Sequence, residues 1–525
     1  MSCEIDSAFL FATLGFMPHL MTRIHQHDYI QIYEAGIEAL KSRPSDVELQ
    51  HQIILSLARA GALDFAISEY DRFGLAAVQD HEDIMALNGR LSKDLYLRSS
   101  GEEAREHALS AAQKYETAFQ NTRGYYSGIN SATMALMANM PTDHVYARIE
   151  AIEALLPVSS EATPANHYFT QATRAECFLL RGENDKAAGA LRDAIDFDPL
   201  NYAAHATTLK QFIMICDKRG EATDWLSDFK PPRPMHFAGH IRLNMTSSEE
   251  EALRISISDA LQQEDVGFGY GALAAGGDII FAEALLEQGA ELHVVLPCRK
   301  DIFKRESVLP FGENWEERFE NCLKLASSVR EVTFSPNWPD KYLYRVSGLS
   351  AMGSAVLQGQ SLSVAPLQML ILNDPKASSY TATHATDWAV GGYAQYRIID
   401  GKHQAISPPD KPLVPALLCA VKSLSENNLT LHENIFETVE AALELKASKD
   451  PIQIALHMKM EGENTDEILD QILAKSAPQS LIASETFSTI LAAVSGEKYK
   501  ITYAGQVGMS TAHPTRCYTV ALAKS

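Results

Sequence analysis

The chain has 525 residues, 46% of them hydrophobic and 21% charged. That is too long for a single core and fits about three globular domains, which excludes a disordered or fibrous chain. With Lys+Arg at 45 against Asp+Glu at 67, the formal charge is −22; no basic surplus is available for broad nucleic-acid or anionic-membrane binding, although a small pocket for one nucleotide stays open.

Residues 1–24 read as an N-terminal arm. The apolar stretch Ala8–Met21 has neither the basic flank nor the small-residue cleavage site of a signal peptide. It reads as a packing arm, or as translation from upstream of Met21. No run reaches the roughly 18–20 apolar residues of a membrane span. Cys3, Cys177, Cys216, Cys298, Cys322, Cys419 and Cys517 include no CxxC pair and read as buried small hydrophobes in a reducing compartment. The expected localisation is cytoplasmic.

From 25 to 228 apolar residues recur at helical spacing. Ile30, Tyr33, Ile37 and Leu40 form one stripe, Leu49, Ile53 and Leu57 the next, and Leu63, Ile67 and Tyr70 a third that ends at Gly74. Breaks such as Arg181-Gly182 are short, so neighbouring helices run antiparallel. In Gly182–Pro199 the small residues Ala187, Ala190 and Ala194 allow close helix packing, and Pro199 stops the helix. This segment resembles the second helix of a tetratricopeptide repeat, and Arg43–Phe73 resembles a degenerate copy. Gly124–Met137 is similar to a stretch of the tetratricopeptide-like TRAF-binding domains. The resemblance implies a protein partner on the repeat, or a buttress for the next domain.

The proline-rich Phe229–Met235 is a linker. Over 233–401 strands alternate with helices, which predicts a doubly wound parallel sheet. Expected strands are Met235–Ala238, Val266–Tyr270, Glu291–Pro297, Val329–Phe334, Leu367–Asn373 and Ala394–Ile399. Expected helices open after Thr246-Ser247 as caps and then cover Asp278–Gln288, Trp315–Ala326, Val346–Gln358 and Thr383–Val390. The centre is the glycine loop after Val266–Tyr270, with five glycines between Gly267 and Gly277, followed by a helix N-terminus. Glycine permits close backbone approach to a ligand, and the helix end favours anions. The loop is neither GxGxxG, since Ala272 stands where the third glycine belongs, nor a P-loop.

In a doubly wound sheet, ligands bind beyond the strand C-termini. The candidate ligand-binding residues are therefore Gly239, His240, Gly271, Gly276, Gly277, Asp278, Glu283, Arg299, Arg305, Ser307 and Asp374. Asp278 reads as a partner for a ribose or base, or as a carboxylate suited to the helix dipole. His240 reads as a phosphate ligand or acid, or as an ordinary loop histidine. Arg299 and Arg305 read as phosphate ligands or surface charge, Ser307 as a loop ligand, Glu283 as a site residue or a solvated one, and Asp374 as a ribose ligand or a turn cap. The order and length of Tyr270–Pro297 resemble the SLOG superfamily of Rossmann-like domains, which implies a nucleotide or nucleotide-derived ligand. The PGGxGTxxE motif of that group's phosphoribohydrolases has no counterpart here.

After the second linker, Ser407–Pro412, the segment 411–525 reads as a small α+β ferredoxin-like domain. Expected strands are Leu413–Leu424, Ile452–Met460, Tyr499–Met509 and Arg516–Leu522, with a helix at His432–Lys446 and a strand leading into a helix over Gln479–Val494. Ile452–Met460 and Ser480–Leu491 resemble strands of class III nucleotide cyclases. Val421 and Lys422 stand around the position of the first metal-binding aspartate, and no GDG hairpin follows. The resemblance therefore implies a pseudocyclase with no metal site, retained for dimerisation or coupling.

The expectation is a non-catalytic cytoplasmic scaffold: a nucleotide-type ligand is its only expected small molecule, a protein docks on its repeat, and it forms a homodimer. Two alternatives stand beside it. One is a nucleotide hydrolase or transferase using His240, Asp278 or Glu283; the other is a purely structural scaffold.

Overall fold

The computed structural model describes residues 29–157, 164–241, 246–334, 341–372, 380–399, 402–406, 417–424, 429–447, 453–460, 463–476, 480–508 and 515–523. The chain divides into two compact units. One holds Met1–Pro231 with Lys475–Ser480 and Thr502–Arg516; the other holds Pro232–Ala474, Leu481–Ile501 and Cys517–Ser525. No helix among the described residues is long and apolar enough to cross a membrane.

The first unit is built from α1 (Tyr29–Leu40), α2 (Val47–Arg59), α3 (Leu63–Phe73), α4 (Glu82–Arg98), α5 (Gly101–Thr122), α6 (Tyr125–Met137), α7 (Thr142–Glu153), α8 (Pro164–Leu180), α9 (Asn184–Phe197) and α10 (Tyr202–Arg219). Local signals set the ends. Asp46 accepts the Leu49 N–H at 3.1 Å to cap α2, and Gly74 closes α3 in the left-handed region at φ 67°. Leu49, Ile53 and Leu57 are buried as their spacing predicts. On α1 the expected stripe is partly rotated: Ile30 is buried as expected, but Ile32, Gly36 and Ala39 are buried with it, while Tyr33, Ile37 and Leu40 flank them half-buried. The rotation follows from Gly36, against which the Ile53 side chain packs. Ala187, Ala190 and Ala194 are all buried on α9, as the small-residue pattern requires.

The second unit contains a seven-stranded sheet of β1 (Arg233–Gly239), β2 (Val266–Gly271), β3 (Glu291–Leu296), β4 (Ser328–Glu331), β5 (Leu367–Ile371), β6 (Ala394–Ile399) and β7 (Lys402–Ile406), in the order β4-β3-β2-β1-β5-β6-β7. All neighbours are parallel except β6 and β7. One face carries α11 (Ser247–Gln263), α12 (Gly277–Glu287), α13 (Lys300–Ser307) and α14 (Glu313–Leu325), around a core with Met235, Phe237, Leu292, Val294, Leu367 and Met369. Thr246 and Glu249 form the capping box of α11. The other face carries α15 (Lys341–Leu362) and α16 (Tyr380–Val390).

Strand β7 and helix α13 escape the sequence pattern. The latter replaces the loop expected around Arg299, Arg305 and Ser307, because Ile302 and Phe303 bury themselves against Phe319 of α14.

A second sheet joins β8 (Cys419–Ser423), β9 (Leu429–His432), β10 (Ile454–Met458), β11 (Leu481–Ser484), β12 (Tyr499–Val507) and β13 (Thr515–Leu522), in the order β12-β13-β11-β10-β8-β9. Its helices are α17 (Ile435–Lys446), α18 (Thr465–Lys475) and α19 (Glu485–Ser495). Helix α19 packs on α15. The Ser350 and Thr489 hydroxyls bond at 3.0 Å, and Gly353 lies so close to the Thr489 carbonyl that a Cβ there would overlap it. Arg330 of β4 ties the same helix through Glu485 and through Thr486 Oγ1 at 2.8 Å.

Candidate functional site

The strand order reverses at β1: the chain builds β2, β3 and β4 on one side and then returns to place β5 on the other. Such a reversal opens a crevice beyond the strand C-termini, where ligands of doubly wound sheets bind. Gly239 and His240 end β1 at this point, and Gly271 ends β2 beside them.

The glycine loop is pulled tightly onto the end of β1. A Cβ on Gly239 would lie 2.5 Å from Gly277 Cα, and one on Gly271 would lie 2.6 Å from the Phe237 ring. Gly276 has φ 110° and ψ −124°, a region open essentially to glycine alone. The Gly277 N–H donates to the His240 carbonyl at 3.1 Å, and Ile241 bridges to Gly276. One donor of the α12 N-terminus is therefore already used within the chain.

Asp278 is the clamp beneath this loop. Its Oδ1 accepts the Gly239 N–H at 2.7 Å and its Oδ2 the Ala274 N–H at 3.1 Å. Burial pushes its carboxyl up to about 6, and the two backbone donors offset part of that rise. Ser307 holds the loop from the other side: its carbonyl accepts the Ala275 N–H at 2.9 Å, and its side chain bonds Tyr344 of α15.

Gly239, His240, Gly271, Gly276, Gly277, Asp278 and Ser307 therefore assemble around one loop. Three expected residues are engaged by other partners. Glu283 forms a two-pronged pair with Arg318 of α14 at 2.8 and 2.6 Å. Arg299 pairs with Asp301, and Arg305 with Glu306. Each of the three charges thus has an ion-pair neighbour, and Arg299 and Arg305 pair on the exposed surface of α13. Asp374 lies outside the described residues.

The structure adds three residues that the sequence reading missed. Thr381 Oγ1 donates to the Gly239 carbonyl at 3.4 Å. Tyr344 and Tyr380 stack at 4.8 Å between ring centroids, and Tyr380 keeps 45% of its surface exposed. These groups sit at the first turns of α15 and α16, where no glycine or charge pattern marks them.

Behind the crevice, on the same face, lies a polar layer. Gln368 Nε2 donates to His236 Nδ1 at 3.0 Å, and Gln395 Nε2 donates to Gln368 Oε1 at 2.6 Å. The His384 ring packs against Gly348 of α15, and its two buried ring nitrogens have no hydrogen-bond partner among the described residues. Burial pushes His384 down to about 4 and His236 well below its ordinary value.

In the second sheet, Lys422 of β8 is buried between Asp466 and Asp470 of α18 at 2.9 and 2.6 Å, which raises its pKa. Its single positive charge is thus shared between two carboxylates and offsets one of their two negative charges. The six described cysteines are buried thiols, in keeping with their reading as small core hydrophobes.

Residues 28–135 match the profile of the Tetratricopeptide Repeats-Sensor (TPR-S) family. Among solved structures, the chain is similar to a thermophilic TPR protein from Thermus thermophilus, at 16% identity and TM-score 0.28, covering 34% of this chain and 89% of that one. It is also similar to a tetratricopeptide repeat protein from Parabacteroides merdae, at 12% identity and TM-score 0.26, covering 56% of this chain and 90% of that one. No curated protein matches. The chain is thus a helical-repeat protein with appended mixed α/β sheets, and its N-terminal repeats are of the tetratricopeptide type.

Proposed function

We propose that the protein is a non-catalytic cytoplasmic scaffold, whose tetratricopeptide-type repeat recruits a protein partner and whose seven-stranded sheet senses a nucleotide-type ligand. The observation that carries the ligand reading is the reversal of strand order at β1, which brings the glycine loop, His240 and the Tyr344–Tyr380 pair to one crevice. The half-exposed Tyr380 ring offers a face on which a planar base stacks. The glycines let a sugar or phosphate approach the backbone. Both oxygens of Asp278 are committed to backbone donors, and Glu283 to Arg318, so the carboxylates nearest the loop serve structure; this supports binding over turnover.

The SLOG and pseudocyclase resemblances fit this reading, with α15 linking the ligand crevice to α19 of the second sheet. The test is a thermal-shift screen of the full chain against ATP, NAD, ADP-ribose and cyclic nucleotides. A ligand at 100 times its Kd adds about 2.7 kcal/mol of stability. Tyr380→Ala and His240→Ala, at positions outside the core, should keep the fold and abolish the shift. A panel with no shift, or a shift that both variants retain, refutes the site.

A further inference from the structure

The glycine loop holds an anion of its own. Where a glycine turn and a helix N-terminus receive a phosphate, open backbone N–H groups supply the hydrogen bonds. Here such groups are taken by the chain itself. Asp278 Oδ1 accepts the Gly239 N–H at 2.7 Å, and its Oδ2 accepts the Ala274 N–H at 3.1 Å. The Ala275 N–H goes to the Ser307 carbonyl at 2.9 Å and the Gly277 N–H to the His240 carbonyl at 3.1 Å. Gly239 and Gly277 meet so closely that a Cβ on either would lie 2.5 or 2.6 Å from the other's Cα. The end of β1 and the start of α12 are thus in backbone contact at the place where a phosphate would sit. The Asp278 carboxyl fills that place from inside; it is 6% exposed and, titrating at about 6, mostly ionised at neutral pH.

The surrounding charge acts in the same direction. Arg299, Arg305, Arg318 and Arg345 are each held in an ion pair, with Asp301, Glu306, Glu283 and Asp387 respectively. The chain carries −22 overall, so a phosphate approaches against a field of its own sign. What the crevice does offer is an aromatic face, the half-exposed Tyr380 ring stacked on Tyr344. Stacking on such a face is indifferent to the charge carried by the sugar.

On the crevice reading given above, we propose that the ligand class is an uncharged nucleoside, with its base on Tyr380 and its ribose against the glycine loop, and that phosphate groups on such a ligand weaken binding. Phosphorylated forms bind with the phosphates turned to solvent, at lower affinity than the nucleoside they contain.

The test is isothermal titration calorimetry of the full chain at pH 7 with adenosine, guanosine, cytidine and uridine, each beside its 5′-triphosphate, at low and high salt. At least one nucleoside is expected to bind. Its triphosphate should bind about fivefold or more weakly at low salt, and the gap should narrow as salt screens the repulsion. Tyr380→Ala should weaken the nucleoside by about tenfold or more. Asp278→Asn keeps one side-chain oxygen for a backbone donor and removes the charge; with circular dichroism unchanged, it should narrow the same gap at low salt. A triphosphate that binds more tightly than its nucleoside and loses affinity with salt overturns the nucleoside assignment while leaving a ligand in the crevice. Nucleoside binding that Tyr380→Ala leaves intact overturns it as well. If none of the compounds binds, the crevice reading falls and the nucleoside with it.

Discussion

Gly276 holds φ 110° and ψ −124° where the loop turns into α12, so a β-branched side chain there is strained whatever space surrounds it. Gly276→Val should lower stability by roughly 1–3 kcal/mol or more in urea titration. Two buried groups give pH dependences of opposite sign. Asp278 titrates at about 6 in the fold against an ordinary 3.8, so the folded chain holds an extra proton between those values. Its contribution favours folding at low pH and is lost as pH rises through about 6, by roughly 2–3 kcal/mol. Asp278→Asn should remove about one proton's worth of slope from the stability–pH curve in that window. His384, flanked by His236, Asp387 and Arg345, titrates at about 4 against 6.5. The unfolded chain therefore binds the extra proton, and stability falls as pH drops from 6.5 toward 4. His384→Met removes two unpaired nitrogens; it should hold stability at pH 7 and reduce the loss on the acid side. An unchanged acid profile in that variant would count against a neutral buried histidine.

Elements with strong local signals were the legible ones. The capping box at Thr246, the alanine face of α9 and the alternation of strands and helices all specify structure within a few residues of themselves. Strand β6 lies where its pattern predicts, at Ala394–Ile399, while β7, β9, α13 and α18 are short elements fixed by tertiary partners. The candidate site divides in the same way. Glycines and Asp278 announce the loop, but the salt-bridge partners of Glu283, Arg299 and Arg305 and the stacking of Tyr344 on Tyr380 depend on helices distant in sequence.

Two interhelical contacts make strong predictions. In the repeat, Lys93 of α4 donates to Asn130 and Gln211 at 2.9 Å each, and Gln211 donates to buried Glu176 at 2.9 Å. Gln211→Leu strips a partner from each charge and should cost about 2–5 kcal/mol. On α15, Gly353→Ala places a methyl group on the Thr489 carbonyl and must push α19 away. A loss of about 1–3 kcal/mol in calorimetry, the usual range for overpacking, is expected; a neutral result would contradict close packing of α15 on α19.

At the scale of the whole molecule, the charge of −22 keeps the surface away from polyanions. Filter binding to duplex DNA at physiological salt should accordingly show no retention. We propose a nucleotide-type ligand at the point where strand order reverses at β1. Hydrogen-exchange mass spectrometry of the full chain, with and without a saturating amount of the nucleotide giving the largest thermal shift, locates that ligand. Protection concentrated at Gly239-His240, at Gly271–Asp278 and at the first turn of α16 is the expected result. Protection confined to the helical repeat, or spread evenly over the chain with no focus at the loop, would contradict it.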